Sequence, residues 1–459
     1  MTNNTLLALA ALGPALIILA CSSTDDGSTA SSNGGGSSGI GGATGGQTAV
    51  GGTSSGGAAP AAGGASGGVA GAGITNTGGA IASGGTIGAG GVTATGGTTA
   101  FGGTSAAGGS IGSGGFTSAG GTDAGGAGGS GDSGGMAGSG GSTSAVTGPC
   151  DIYEAGNTPC VAAHSTVRAL YGAYSGNLYQ VRRTSDKTTK DIGVLGPGGF
   201  ADSAAQDSFC SGSACTISVI YDQSPKGNHL RSAPAGGYKP SPDQEANATG
   251  LKLTISGHPV YAVYINAGMG YRNDATSGIA TKDLPEGEYM VTSGKHYNGG
   301  CCFDYGNAET SNKDDGNGTM EAVYFGNSTS WGRGSGNGPW VMADLENGLF
   351  AGTNGTNDMN TPLTSDYVTA MVKGKQGHFA IKGGNAQSGM LKTMYDGARP
   401  TPGYDPMKKE GAIILGIGGD NSNSAVGTFF EGCMTAGYPS DATDDAVQAN
   451  VVAAGYGQQ

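Results

Sequence analysis

GPWVMADLENGLFAG (338–352) runs from a Pro-Trp pair to an Asn-Gly pair through a short alternating segment. Side chains alternate along a strand, which puts Val341, Ala343 and Leu345 on one face. Met342, Asp344 and Glu346 then share the other, so two carboxylates stand side by side among apolar neighbours, close to Trp340. Alone, the segment fits an exposed acidic edge as well as a site.

A second stretch narrows the choice. EGAIILGIGGDNSN (410–423) is an apolar run, Ala412 to Leu415, that breaks at a Gly-Gly pair and delivers Asp420 into an Asn/Ser-rich turn. Glycines at the end of a buried strand let backbone approach a ligand, and loops there carry function. Two carboxylates near tryptophans are what glycoside hydrolysis uses. One protonates the leaving oxygen, and the other attacks the anomeric carbon or activates water. Around them recur LKLTIS, PVYAVYI, EYMVTSG, MEAVYFG, LFAG, YVTAMVKG, HFAIKGG and GTFFEGCM, separated by Gly/Asn-rich turns. Such spacing without long helical patterns predicts an all-β sandwich. One exception is HSTVRALYGAYSG (164–176), where Val167, Leu170, Tyr171 and Tyr174 fall at helical spacing.

These two stretches, with GPCDIYEAGNTPCVAAHSTVRALY (148–171), YDQSPKGNH (221–229), CCFDYGNAET (301–310), MEAVYFGNSTSWG (320–332) and GTFFEGCMTAGYPSD (427–441), resemble the catalytic domain of family 54 glycoside hydrolases. Those are retaining α-L-arabinofuranosidases of the B type, and the resemblance covers about 148–456. It implies a β-sandwich of concanavalin or jelly-roll type, with Glu346 as nucleophile and Asp420 as acid/base. It also implies Asp344, Asn347 by its side chain, Gly419 by its backbone and Trp331 as sugar contacts. Glu321, an acid in an apolar strand, is left as packing or hydrogen-bond support. The family commonly carries two Asn after the nucleophile, whereas this chain has Asn347-Gly348. Fungal relatives also carry a C-terminal arabinose-binding β-trefoil, while this chain stops at Gln459.

The chain has 459 residues, a net charge of −13 and 96 glycines, half of them crowded into the stretch before residue 148. Its acidity argues against nucleic acid or an anionic membrane surface as partner; a neutral sugar fits. TLLALAALGPALIILA (5–20) reads as a signal h-region. Ile18-Leu19-Ala20-Cys21 resembles a bacterial lipobox, although its first residue is Ile and Met1–Thr5 holds no Lys or Arg. The expected organisation is a lipoprotein signal (1–21, lipidated at Cys21), a disordered Gly-rich linker (22–147) and a catalytic sandwich (148–459). The linker has too little apolar content to offset the entropy of ordering. Tether and lipid would hold the enzyme at a bacterial surface or outer membrane, in place of a binding module; otherwise it is secreted.

In an exported chain Cys150 is expected to pair with Cys160, and Cys210 with Cys215. That leaves Cys301, Cys302 and Cys433 in the folded domain. Plain chemistry expects adjacent cysteines to bond elsewhere, with one of them taking Cys433. The resemblance implies a vicinal Cys301–Cys302 disulfide against the sugar, with Cys433 free and buried. Tyr221, Asp222 and His229 could suggest a catalytic cluster; they read instead as a turn organised by Asp222 and Asn228, with His229 a structural hydrogen-bonder. NKDDGNGTME (312–321) misses the EF-hand ligand positions. No metal and no cofactor are expected. The reading is a monomeric, exo-acting α-L-arabinofuranosidase for arabinan or arabinoxylan side chains; its rival is a non-catalytic sugar-binding sandwich of the same fold.

Overall fold

Every apolar run named above overlaps a strand, and the Gly/Asn segments between them form the turns. The computed structural model describes residues 146–458. The expected signal segment, Cys21 and the linker up to residue 145 lie outside the described residues. In chain order the elements are α1 (Pro149–Ala155), β1 (Cys160–Ser165), β2 (Asn177–Arg183), β3 (Thr189–Gly193), α2 (Ser203–Phe209), β4 (Cys215–Ile220), β5 (Arg231–Ser232), β6 (Leu251–Ile255) and β7 (His258–Ile265). There follow β8 (Tyr271–Asn273), β9 (Glu286–Ser293), β10 (Asp304–Ala308), β11 (Glu321–Gly326), β12 (Trp340–Asp344), β13 (Leu349–Phe350) and β14 (Tyr367–Lys375). The last are β15 (His378–Asn385), β16 (Lys392–Ala398), β17 (Ala412–Leu415), β18 (Gly427–Ala436) and α3 (Asp441–Ala453).

Two antiparallel sheets carry the architecture. One runs β16-β15-β14-β9-β18-β7-β6, with β1 extending the β7 edge of the long strand β18; the other runs β13-β12-β11-β10-β17-β8-β5. Alternation decides what each face does. Tyr305, Val323, Phe325, Val341 and Ala343 of the seven-stranded sheet join Tyr289, Val291 and Phe429 of the larger sheet in one core. The opposite face of the seven-stranded sheet carries Ala322, Tyr324, Trp340, Met342, Leu349 and, at the end of β12, Asp344; it is buried too, under loops that bring Cys302 and Ile417. The site lies on that second face.

The core is not wholly apolar. Glu286 and Glu288 from β9 meet Glu321 from β11, with Lys409 2.7 Å from Glu286 and 2.8 Å from Glu321, and Arg399 3.2 Å from Glu321. Asn307 donates its side-chain N–H to Glu286 and its main-chain N–H to Glu288. Glu321 is therefore an interior ion-pair partner.

The helical reading of 164–176 is not what forms. His164 and Ser165 close β1, and the following residues are irregular. Val167 and Leu170 are fully buried all the same. Side-chain acceptors take the backbone N–H groups a helix would use: Ser165 Oγ accepts locally from Val167 and Arg168, and Leu170 N–H donates to distant Gln223 Oε1 at 2.7 Å. Arg168 itself is clamped by both carboxylate oxygens of Glu431 at 2.6 Å. Helical spacing was coincidental with burial from several directions. The real helix α3 announces itself differently, by Ser440 capping Thr443 N–H and Asp441 in the first turn.

Candidate active site

Strand β12 stops at Asp344, one turn before the second acid. Glu346 (φ 63°) and Asn347 (φ 56°) both adopt left-handed backbone, a conformation costing roughly 1–2 kcal/mol per non-glycine residue. The two acids thus do not share a face of one strand, as alternation predicted; a turn swings Glu346 round into the same cavity. The turn is fixed from several sides. Glu346 N–H donates to Asp344 Oδ1 at 3.2 Å, Tyr404 O–H donates to Glu346 O at 3.0 Å, and Gly318 N–H donates to Leu345 O at 2.9 Å. Backbone held in such a region at a cleft is a recurrent mark of function.

The cavity, about 180 Å³, is lined by Asp344, Glu346, Asn347, Gly419, Asp420, Trp331, Cys301 and Cys302, every site residue the sequence singled out, and also by Asp314 and Ser422. Asp420 accepts Ser422 N–H at 2.8 Å, and its carbonyl accepts Tyr238 N–H at 3.0 Å. Gly419 sits where no side chain fits. An added Cβ would run into Glu309 Oε2 and stand 2.8 Å from Glu346 Oε2. Asn347 donates to Asp314 Oδ1 at 3.0 Å, so both share one wall. At Gly348 a Cβ would lie 2.6 Å from the Phe350 ring. That ring occupies the space a second Asn would need.

Cys301 and Cys302 are joined by a vicinal disulfide, across a cis peptide, at the cavity wall. Cys301 Sγ is 3.3 Å from Ser422 Oγ. Cys150–Cys160 and Cys210–Cys215 are the other disulfides, and Cys433 is a free, buried thiol pushed up by burial. Asp222 organises its turn, accepting from Ala163, Ser224 and Asn228 N–H, while His229 Nδ1 accepts from Asp222 N–H.

Behind the acids at the surface stand two that sequence reasoning missed. Asp304 and Glu309 are fully buried. Asp304 faces Asp344, and Glu309 faces Glu346; carboxyls brought together in this way without a cation are held most cheaply with a proton shared between them. No Lys or Arg nitrogen among the described residues lies within salt-bridge reach of these four carboxyls. Burial, followed by the charges of Glu309, Asp344 and Asp314, pushes Glu346 up to about 12. Burial also pushes Asp344 up to about 7, with Glu309 and Asp420 adding to it against the N–H of Glu346 and the hydrogen bond of Asp304. Cys302, Asp304 and Asp344 lie close enough together to suggest a metal triad. The sulfur is committed to its disulfide, however, and two acids are left.

A cleft lined by Glu346, Asp344 and Asp420, with an indole and a disulfide in its wall, has the groups to position a neutral glycoside between a nucleophile and a proton donor. The family model for the catalytic domain of α-L-arabinofuranosidase B matches residues 149–457. A probable α-L-arabinofuranosidase B of Aspergillus fumigatus is 62% identical over 317 residues, covering 68% of this chain and 63% of the relative. An α-L-arabinofuranosidase B of Aspergillus oryzae is 60% identical over 315 residues, covering 67% and 62%. Among solved structures, an arabinofuranosidase complexed with arabinofuranosyl-α-1,2-xylobiose superposes with a TM-score of 0.67 at 56% identity, covering 68% of this chain and 66% of that one. The chain thus spans a little under two thirds of the length of the curated relatives it matches.

Proposed function

The chain belongs to the α-L-arabinofuranosidase B catalytic family, glycoside hydrolase family 54, and on that premise we propose that it is a retaining, exo-acting α-L-arabinofuranosidase. It releases terminal arabinofuranose from arabinan or arabinoxylan side chains. Glu346 attacks the anomeric carbon as Asp420 protonates the departing oxygen; Asp420 then takes a proton from water, which attacks the glycosyl-enzyme and frees arabinose with retention. Asp344, Asn347 and the Gly419 backbone bind sugar hydroxyls, while Trp331 and the Cys301–Cys302 plate face the ring. The observation that carries this reading is the shared cavity of Glu346 and Asp420 with the disulfide as its wall. In support, the solved relative holds an arabinofuranosyl xylobiose.

Incubation with 4-nitrophenyl α-L-arabinofuranoside tests it. Nitrophenol release, with the α-anomer appearing first by proton NMR, is expected; binding without release would make the protein a sugar-binding sandwich instead. Three disulfides suit an oxidising compartment, and we propose export with lipid attachment at Cys21. Cys21→Ala should leave the membrane fraction with unchanged specific activity, and retention of that variant in the membrane would rule the anchor out.

A further inference from the structure

We propose that Glu309 is a positioning residue: it keeps the proton of the pair it forms with Glu346, and so holds Glu346 ionised and aimed into the cavity. The inference rests on the reading of Glu346 as nucleophile, and the argument begins with who can donate to whom. Glu309 follows β10 directly, and β11 separates that strand from β12, so the fold alone brings the two carboxyls together. Its Oε2 has no donor among the described residues, and points with Glu346 Oε2 at the bare backbone of Gly419. Its Oε1 lies 2.7 Å from Thr319 Oγ1, which is also 2.6 Å from Gly316 O. A hydroxyl has one hydrogen, and a carbonyl has none to give. Thr319 cannot serve both acceptors, so each oxygen of Glu309 faces an atom able to accept. A proton on Glu309 is used whichever oxygen carries it.

Burial decides which partner keeps it. Glu309 is wholly enclosed, whereas Glu346 opens on the cavity at 8% exposure. Charge costs more on the enclosed group. The surroundings favour a proton in the pair: Asp344, Asp304, Asp314 and Asp420 are acids and Tyr404 is neutral. Arg272 is the one cation against Glu309 among the described residues, and it donates to the carbonyl rather than to the carboxyl. Burial raises both members of the pair; the charge of Glu309 is the next cause of the rise at Glu346, and the bond between them lowers Glu309. An ionised Glu309 would therefore keep the proton on Glu346, and Glu346 ionises only when Glu309 is the neutral partner. A neutral Glu309 removes the like charge that would oppose ionised Glu346 and gives it a donor in exchange. In the first chemical step the proton stays where it is; only the Glu346 oxygen forms a bond.

The test is the pH profile of kcat/KM on 4-nitrophenyl α-L-arabinofuranoside for the parent, Glu309→Gln and Glu309→Leu, after hydrolysis by the parent has been established. If Glu309 is the proton-bearing donor, replacing it weakens support for the Glu346 anion. The acidic limb then moves to higher pH, by about one unit in the Gln variant and further in the Leu variant. Glu309→Leu should lose roughly a hundredfold in kcat with KM little changed, and Gln, which still donates, should recover to within about tenfold of the parent. If Glu309 is instead ionised, a neutral residue relieves repulsion and the limb moves to lower pH; that outcome, or a stationary limb, overturns the proposal. Thr319→Val, which keeps both carboxyls, guards against misfolding of the Glu309 variants and should move the same limb by less. Infrared difference spectra of parent against Glu309→Gln at neutral pH need no substrate. Loss of a protonated-carboxyl C=O band supports the assignment, and its persistence overturns it even if the parent proves inactive on arabinofuranosides.

Discussion

The seven-stranded sheet buries acids on both of its faces, and the two sets are treated differently. Against the inner face Lys409 meets Glu286 and Glu321 and Arg399 meets Glu321, while Glu288 accepts only the N–H of Asn307. On the outer face Asp304, Glu309, Asp344 and Glu346 are all at or below 8% exposure, and among the described residues none has an ion-pair partner. Burying carboxyls without cations costs stability. A fold that gives cations to two acids on one side and to none of four on the reverse side bears a cost that fits the proposed reaction site. The largest test of this contrast removes the outer charge closest to reaction. Glu346→Gln should lower kcat by about 10⁴-fold or more, with thermal stability unchanged or raised because a neutral amide replaces a crowded carboxyl. Asp420→Asn should cost about 10²–10⁴-fold, less on nitrophenyl substrates, whose leaving group needs no proton. Activity surviving in Glu346→Gln would dissolve the distinction between the faces.

The inner face should answer oppositely. Lys409→Met strands Glu286 and Glu321 with fewer partners, and breaking a buried pair in this way costs about 3–5 kcal/mol. The melting temperature should fall by roughly 10 °C, with turnover per folded molecule within twofold of the parent. A variant that keeps its melting temperature but loses turnover would mean the inner acids serve the reaction.

Glu321 shows why sequence reading reaches only part of this. Locally it resembles Asp344, since both are acids in apolar strands; what separates them is Lys409, 88 residues further on, and Arg399, 78 residues on. The strands were legible because alternation and turn residues are local. Glu346, Asp420 and the Cys301–Cys302 pair were singled out because long motifs surround them. Glu309 stands inside one of those motifs, yet nothing near it says that it folds against Glu346. Asp314 lay in a segment weighed only as a calcium loop. The turn that carries Glu346 was missed because left-handed backbone at a non-glycine residue is imposed by Tyr404 and Gly318 from far along the chain, against local preference.

Protons should report the same contrast through stability. Burial, opposed by Lys409, leaves Glu286 pushed up to about 7 in the folded protein, against about 4.5 when unfolded. A raised carboxyl binds its proton more tightly folded than unfolded, so its contribution is complete below about pH 4.5 and is lost as pH rises through about 7. Asp344, also pushed up to about 7, acts in the same sense. Glu321, whose burial is outweighed by Arg399 and Lys409, lies below its usual value and acts in the opposite sense, at more acid pH. The melting temperature should therefore be higher near pH 5 than near pH 8, with Glu286 contributing roughly 3 kcal/mol of the difference. Glu286→Gln should flatten that slope without shifting the acidic limb of the rate profile. A slope that survives in Glu286→Gln and disappears in Asp344→Asn would assign it to the outer face.

The smallest effect separates disulfides as the faces separate acids. Cys301–Cys302 packs with Trp331, Tyr324, Trp340 and Met342 on the outer face and forms part of the cavity wall. Cys150–Cys160 ties α1 to β1, away from the cavity. A disulfide stabilises chiefly by shortening the unfolded chain's freedom, more for longer loops. Closure between neighbours removes very little, so stability is not what the vicinal bond supplies. On the proposed reading it offers a rigid apolar surface, with little motion to lose if a sugar ring packs against it. Replacing Cys301 and Cys302 together by Ala should raise KM about tenfold, equivalent to about 1.4 kcal/mol, with kcat and melting temperature nearly unchanged. Replacing Cys150 and Cys160 by Ala should do the reverse, lowering stability by about 2–4 kcal/mol and leaving KM alone. Peptide mapping of the unreduced protein should find residues 301 and 302 oxidised within one peptide, and Cys433 alkylated only after unfolding. An unchanged KM in the first variant would remove the disulfide from the sugar's surroundings and leave binding to Trp331, Asn347, the Gly419 backbone and the acids.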